Sequence, residues 1–309
     1  MEGNQSWATE FVLLRFQLSP ESEMFFFWVF SLFYTYSLLA NSMIFALMCL
    51  DQKLQTPMYF FLSHLAIIDM SYASNSVPKM LANLVTQNRA ISFVACIMQT
   101  FLYSNIAATE CLILVAMSYD WYMVICHPLH YTVIMSWTVY TVLATVSWSC
   151  GFLQALINIL LLLRLPFCRS WEINHFFCEI LSVLKLACAD IWLNNLVIFT
   201  DSVLVLVGPL CLVLVSYMHI LWAILRIQSG EGHKKAFSTC SSYLCVVGLF
   251  LGITMVVYMV PDSSQRGEKN KILSLFYSLF NPILNPLIYS LRNAQVKNAF
   301  CRVVQVRSG

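Results

Sequence analysis

The sequence predicts an all-α membrane protein, a bundle of seven transmembrane helices followed by a short amphipathic eighth helix. Three observations carry that prediction. Sixty per cent of the 309 residues are apolar and only 10% are charged, where a soluble domain carries roughly 25% charged residues. Seven apolar runs are each long enough to cross a hydrocarbon core, which takes about 20 helical residues. These runs are continuous rather than alternating, which favours helices over a barrel, because in lipid each backbone amide must be satisfied inside its own segment. The net charge of +2 is spread thinly, with no basic stripe to neutralise a phosphate backbone, so nucleic acid is not an expected partner.

The spans are expected near Met24–Leu50, Pro57–Leu81, Cys96–Trp121, Thr138–Leu163, Leu193–Trp222, Ala236–Val260 and Ile272–Leu291. No repeat or hydrophilic domain interrupts them, so residues 1–309 read as one domain: an N-terminal segment 1–23, a helical bundle 24–291 and a tail 292–309. The first run follows an acidic segment and lacks a basic flank, so it does not read as a cleaved signal peptide. Lys and Arg counts over the loops are nearly even, and the tails set the orientation instead. Arg292, Lys297, Arg302 and Arg307 stand in the C-terminal tail without a carboxylate. Glu2, Glu10, Glu21 and Glu23 precede the first span with Arg15 as the only cation. The chain's single N-glycosylation sequon, at Asn4, lies in that acidic segment. An extracellular N-terminus and a cytoplasmic C-terminus at the plasma membrane are expected. In the tail, Val296, Ala299, Phe300 and Val303 recur at helical spacing with Lys297 and Arg302 elsewhere on the wheel, the pattern of an interfacial helix.

Of the 12 cysteines, Cys96, Cys168, Cys178 and Cys188 fall on the expected outer side, where oxidation is permitted. Four cysteines allow three pairings, and spacing does not choose among them. Three of the four lie in the long outer loop from Arg164 to Trp192, which is placed to fold as a lid. Cys301 in the tail is a candidate for palmitoylation.

Ionisable groups inside spans are costly and by default point to function. Asp69 lies in the second span, Glu110 and Asp120 in the third, and Asp201 in the fifth. On the third span Tyr103, Ala107, Glu110, Leu114, Met117 and Trp121 share one face, which is expected to turn into the bundle. Asp69 and Glu110 sit at comparable depth and are candidates to share a sodium ion or a proton. The alternative is that each is capped by Ser, Asn or water. No lysine is expected inside a span, Lys271 lying at the outer mouth of the seventh and Lys53 in a cytosolic loop, which leaves no site for a retinal Schiff base. Phosphate loops, zinc motifs and nucleophile elbows are absent from the sequence, so neither an enzyme nor a cofactor or metal is expected.

Five strings carry a resemblance over nearly the whole chain: LQTPMYFFLSHLAIIDM (54–70), MSYDWYMVICHPLHY (117–131), HFFCE (175–179), KAFSTCSSYLC (235–245) and NPILNPLIYSLRN (281–293). In this order and on successive helices they resemble the odorant receptors, a family of rhodopsin-like G-protein-coupled receptors. ECLILV, VLKLACAD, LVGPL and RIQSGEG look like the branch called family 2, subfamily A. The resemblance implies a Cys96–Cys178 disulfide and a Cys168–Cys188 disulfide closing the lid, with Cys96–Cys188 the runner-up pairing. It implies that Asp69 belongs to a sodium-pocket region and that Asn285, Pro286 and Tyr289 belong to the NPxxY switch. It also implies an odorant pocket in the outer half of the bundle. Tyr103, Ser104, Ala107, Ala108, Asp201, Ser202, Val205, Leu251, Thr254, Met255, Tyr258 and Ser278 stand at the matching positions. Those positions make a mostly apolar cleft with a few orienting hydroxyls, as small volatile ligands require. A carboxylate at Asp201 facing it would favour an amine or a hydroxyl donor; the other reading is a protonated Asp201 bonded to a neighbouring Ser.

Three departures fall on the transmission path. The family's Asp-Arg-Tyr triplet reads Asp120-Trp121-Tyr122 here, and Trp has one N–H donor and no charge. The arginine's pairing with Asp, and its swing toward the G protein, Tyr217 or Tyr289, therefore do not carry over. Tyr243 replaces the usual His, and Leu251 replaces an aromatic residue. The expected function is that of an odorant receptor activating a stimulatory G protein of the olfactory type, with coupling impaired by Trp121. The alternatives are a receptor-like protein that binds without signalling and, further off, a seven-helix transporter or channel, for which no broken-helix repeat is evident.

Overall fold

The computed structural model describes residues 10–14, 19–86, 88–167 and 171–225, and beyond them 248, 252, 255, 278–287, 296, 298, 299 and 302. Among these residues five long helical stretches dominate: α1 (Pro20–Leu50), α2 (Pro57–Val85), α3 (Phe93–Cys126), α5 (Trp137–Leu163), and a composite fifth made of α7 (Trp192–Ser202), a wide π turn (Val203–Val207) and α8 (Gly208–Leu225). Two short helices, α4 (Tyr131–Ile134) and α6 (Ile180–Leu184), lie in the connections. Three strands, β1 (Glu10–Leu13), β2 (Ala90–Ser92) and β3 (Glu172–Ile173), join segments distant in sequence into one small sheet.

The helices begin where local chemistry allows them to. Ser19 caps α1 by accepting the Ser22 amide at 3.4 Å, and Pro20 occupies the first turn, where its missing N–H costs nothing. Pro57 does the same for α2. Ser92 ends β2 and caps α3 through the Ala95 amide at 3.2 Å, so the sheet feeds directly into the third span. Four stretches, Glu21–Leu50, Phe93–Cys126, Trp137–Leu163 and Trp192–Ala223, are long and apolar enough to cross a membrane. At 29 residues α2 has the length but is more polar. Sequence-expected starts and ends for these five stretches fall within five residues of the observed ones. Ala236–Val260 lies largely outside the described residues, as do parts of Ile272–Leu291.

Outward faces are apolar as well as the core. On α1, Trp28, Leu32 and Leu39 are 66–68% exposed, and α5 shows Val142, Val146, Leu153, Ile157 and Leu160 on its outer side. A helix apolar all round requires protein on one side and lipid on the other. The chain is a multi-pass membrane protein.

α3 is the hub. It packs against α2, α5 and α8, and Tyr103, Glu110, Leu114 and Met117 from its expected inward face are all buried. The crossing with α5 is close because Gly151 has no side chain: a Cβ there would lie 2.3 Å from Thr109 Oγ1 and 2.8 Å from the Asn105 carbonyl. One expectation is corrected. Lys79 does lie within a span, in the last two turns of α2, but its ammonium donates to the Ala90 carbonyl at 2.7 Å at the β2 end. A long amine so near a helix end reaches polar backbone without entering the hydrocarbon core.

On the opposite side, Asp51 follows α1, accepts the Lys53 amide at 2.9 Å, and takes two bonds from Arg302 at 2.5 and 3.2 Å. The Arg302 guanidinium holds the Asp51 carboxyl below its ordinary value of 3.8. Val296 and Ala299 are buried in the same core as the facing ends of α1 and α2.

Substituting Gly151→Val forces Thr109 and the α3 backbone outward. We expect a loss of about 1–3 kcal/mol of stability, read as a lower melting temperature of the purified protein in lipid; an unchanged melt would contradict the close crossing.

Candidate functional site

A cavity of about 60 Å³ opens between α3, α5 and the α7 segment, beneath α6. Helical periodicity builds each wall. Ser104, Ala107, Ala108 and Cys111 stand at i, i+3, i+4 and i+7 on α3, and Ile198, Asp201, Ser202 and Val205 repeat that spacing opposite. Gln154 and Asn158, one turn apart, come from α5; Ile180 comes from the lid. The π turn sets the fifth helix's register here. Pro209 has no N–H, and its ring would collide with the carbonyl four residues back, so the backbone widens and Gly208 donates to the Val203 carbonyl instead.

Polar groups gather at the α5–α7 wall. Asn158 Nδ2 donates to Asp201 Oδ2 at 2.6 Å and to the Gln154 carbonyl at 3.1 Å. The Gln154 side chain also faces the Asp201 carboxylate. Ser202 Oγ donates to the Ile198 carbonyl at 2.7 Å. Gln154 Oε1 is buried and has no hydrogen-bond partner among the described residues.

Six residues expected at a ligand pocket line this cavity: Ser104, Ala107, Ala108, Asp201, Ser202 and Val205. Tyr103 is instead packed between Tyr72 and Phe177, with ring centroids 5.3 and 5.2 Å away. Met255 packs against the inner core and Ser278 is buried; Leu251, Thr254 and Tyr258 lie outside the described residues. Sequence reasoning missed Gln154 and Asn158. Their signal was two amides one turn apart in an otherwise apolar span.

The lid is tied down at several points. Phe11 and Leu13 of β1 are buried beneath it, as strand alternation dictates. β1 runs antiparallel to β2, with Phe11 opposite Ile91, and parallel to β3, with Leu13 opposite Ile173. Cys96 at the start of α3 is bonded to Cys178, which excludes a Cys96–Cys188 pairing. Cys188 is also disulfide-bonded; Cys168, its expected partner, lies outside the described residues. Gln99 completes the anchor: its Oε1 accepts the Cys178 amide at 2.8 Å, and its Nε2 donates to the Asn75 carbonyl of α2 at 2.7 Å. Asn75 returns a bond to the Gln99 carbonyl at 3.1 Å.

Deeper in the bundle each carboxylate meets an amide. Asn285 Nδ2 donates to both Asp69 oxygens at 3.0 and 3.1 Å, and Asn281 Nδ2 donates to Glu110 Oε1 at 2.7 Å. A void of about 10 Å³ adjoins Asp69, Asn41, Asn285 and Pro286. Pro286 cannot bond the carbonyl four residues back, that of Pro282, and α1 supplies the substitute: Asn41 Nδ2 donates to it at 2.9 Å and Ser37 Oγ at 3.3 Å. Among the described residues no group of three His, Cys, Asp or Glu is placed to hold a metal.

At the C-terminal end of α3, Asp120 accepts the Tyr131 hydroxyl of α4 at 2.9 Å. Trp121 is partly buried against the inner core. Tyr122 bonds His127 at 3.1 Å, and Tyr217 is buried. Tyr243 and Tyr289 lie outside the described residues.

The family model described as "Olfactory receptor" matches residues 30–307. The chain belongs to the olfactory receptor family. This receptor is 68% identical over 305 residues to Olfactory receptor 2A2 of Homo sapiens, covering 99% of this chain and 96% of that one. It is 67% identical over 305 residues to Olfactory receptor 2A5 of Homo sapiens, covering 98% of each. Olfactory receptor 2A7 of Mus musculus is 56% identical over 307 residues, covering 99% of each. The receptor is not an enzyme, and the subfamily read from its short strings is that of these relatives.

Gln99→Leu would strip partners from two backbone groups of the lid and α2. The expected cost is about 1–3 kcal/mol per buried group, read as a lower melting temperature with the Cys96–Cys178 bond intact; a melt equal to the natural chain's would show that Gln99 is not an anchor.

Proposed function

We propose that this chain is an odorant receptor: it binds a small volatile ligand in the cavity between α3, α5 and α7 and activates a stimulatory G protein of the olfactory type. The single observation that carries the reading is the cavity itself. Six residues marked for the pocket by family resemblance converge on it, beneath a lid that the Cys96–Cys178 disulfide fixes to α3. Leu251, Thr254, Tyr258, Met255 and Ser278 complete the pocket in this proposal from the sixth and seventh spans.

The proposed architecture is the full seven-helix bundle as a single domain, with an amphipathic eighth helix docked through Arg302 and Asp51. The N-terminus is extracellular, with Asn4 glycosylated, and the C-terminus is cytoplasmic. Cys168–Cys188 closes the lid. Asp69 and Glu110 form the sodium or proton site, their amide partners Asn285 and Asn281 linking occupancy to the seventh helix. Ligand binding shifts a two-state equilibrium only by its differential affinity for the two states. In the signalling state the sixth helix swings outward and opens a cytosolic cavity.

One observation favours a second reading, in which ligand binds but signalling is weak. Where the family places an arginine, this chain has Trp121, packed against apolar side chains, while Asp120 takes its bond from Tyr131. A neutral indole supplies neither a partner for Asp120 nor a charge for the G protein.

The test is a cell assay of cAMP in response to a panel of volatiles, with the natural chain beside Trp121→Arg. The expected outcome is a ligand-driven signal about tenfold larger in the variant, since a hydrogen bond to a charged group is worth ~1.5–3 kcal/mol. Equal ligand-driven signals would refute impaired coupling and leave an ordinary odorant receptor.

A further inference from the structure

The geometry points to a primary amine as this cavity's ligand class, its ammonium held at the α5–α7 wall by Asp201 and Gln154; this rests on the cavity being the odorant pocket. Hydrogen-bond accounting decides the class. The donors at that wall are already engaged: Asn158 Nδ2 serves Asp201 and the Gln154 carbonyl, and the Ser202 hydroxyl serves the Ile198 carbonyl. The Gln154 amide N–H also serves the Asp201 carboxylate. Among the described residues, what remains at this wall is therefore acceptors: the Asp201 carboxylate, the lone pairs of Ser202, and Gln154 Oε1. The last is buried without a partner among the described residues.

No Lys, Arg or His is among the described residues lining the cavity. The wall thus carries a surplus of acceptors in a largely apolar setting, with a carboxylate that an ammonium would hold ionised. An ammonium group brings one positive charge and three donors with no acceptor of its own. An alcohol brings one donor and no charge. An aldehyde, ketone or ester brings only acceptors, which would face acceptors at the α5–α7 wall and find a donor only in the Ser104 hydroxyl across the cavity. Ala107, Ala108, Ile180 and Leu206 form the remaining apolar wall for a short hydrocarbon tail. Gln154 gives the inference independence from the carboxylate, because its oxygen seeks a donor whether or not the ligand is charged.

The experiment uses the full chain in lipid nanodiscs and follows thermal stabilisation by hexan-1-amine, hexan-1-ol and hexane at neutral pH. On the natural chain we expect the amine to stabilise at a concentration about tenfold lower than the alcohol, the gain of a charge-assisted over a neutral hydrogen bond. Asp201→Asn keeps the shape and removes the charge, and is expected to bring amine and alcohol within about twofold of each other. Gln154→Leu, on a different helix, is a second variant should the first not fold, and is expected to weaken the amine by about threefold or more. Amine and alcohol acting equally on the natural chain would overturn the amine assignment. So would an amine preference that survives both variants. Stabilisation by the alcohol or hexane without the amine would overturn the assignment while leaving the pocket reading in place; stabilisation by none of the three would overturn both.

Discussion

The fold depends on one constraint: its outer solvent cannot hydrogen-bond. Leu and Phe cover both the interior and the outer face, so burial of apolar area does little to distinguish one helix rotation from another. Scarce polar groups make that distinction. Asp69 meets Asn285, Glu110 meets Asn281, Asn158 meets Asp201, and Gln99 meets the backbone of Cys178 and Asn75. Each pair joins elements far apart in sequence, and each would leave a costly orphan if its helix turned away.

α3 carries two of these four ties, at Gln99 and Glu110, and so joins the cavity wall, the lid and the far end of the bundle in one element. Its N-terminal end is fixed to the lid by a disulfide and by Gln99, its middle holds Glu110 against Asn281, and its C-terminal end holds Asp120 against Tyr131. The cavity lies on the same helix between the first two of these points. The Pro282 carbonyl that Pro286 cannot bond is secured separately, by α1 through Asn41 and Ser37.

Much of this was legible in the sequence, for a physical reason: length and apolarity are local properties. The first five helices could be placed from runs of apolar residues. Observed helices extend past those runs where polar first turns are capped, as at Ser19 ahead of Met24. Family motifs then placed Ser104, Ala107, Ala108, Asp201, Ser202 and Val205 together. What stayed hidden depends on non-local pairing. The β1–β2–β3 sheet gathers three short segments with no strong pattern of their own, and the π turn before Pro209 shows only in backbone geometry. Gln154 and Asn158 were overlooked because uncharged amides did not stand out against the four carboxylates. Tyr103 lies against Tyr72 and Phe177, ring contacts that its spacing on α3 does not reveal.

A chain threading lipid an odd number of times must leave its ends on opposite sides, and that consequence can be measured directly. Epitope tags at Met1 and Gly309, probed by antibody on intact and then permeabilised cells, should show the N-terminal tag outside and the C-terminal tag reachable only after permeabilisation. Both tags reachable on intact cells, or both hidden, would contradict the seven-span architecture on which the receptor reading stands.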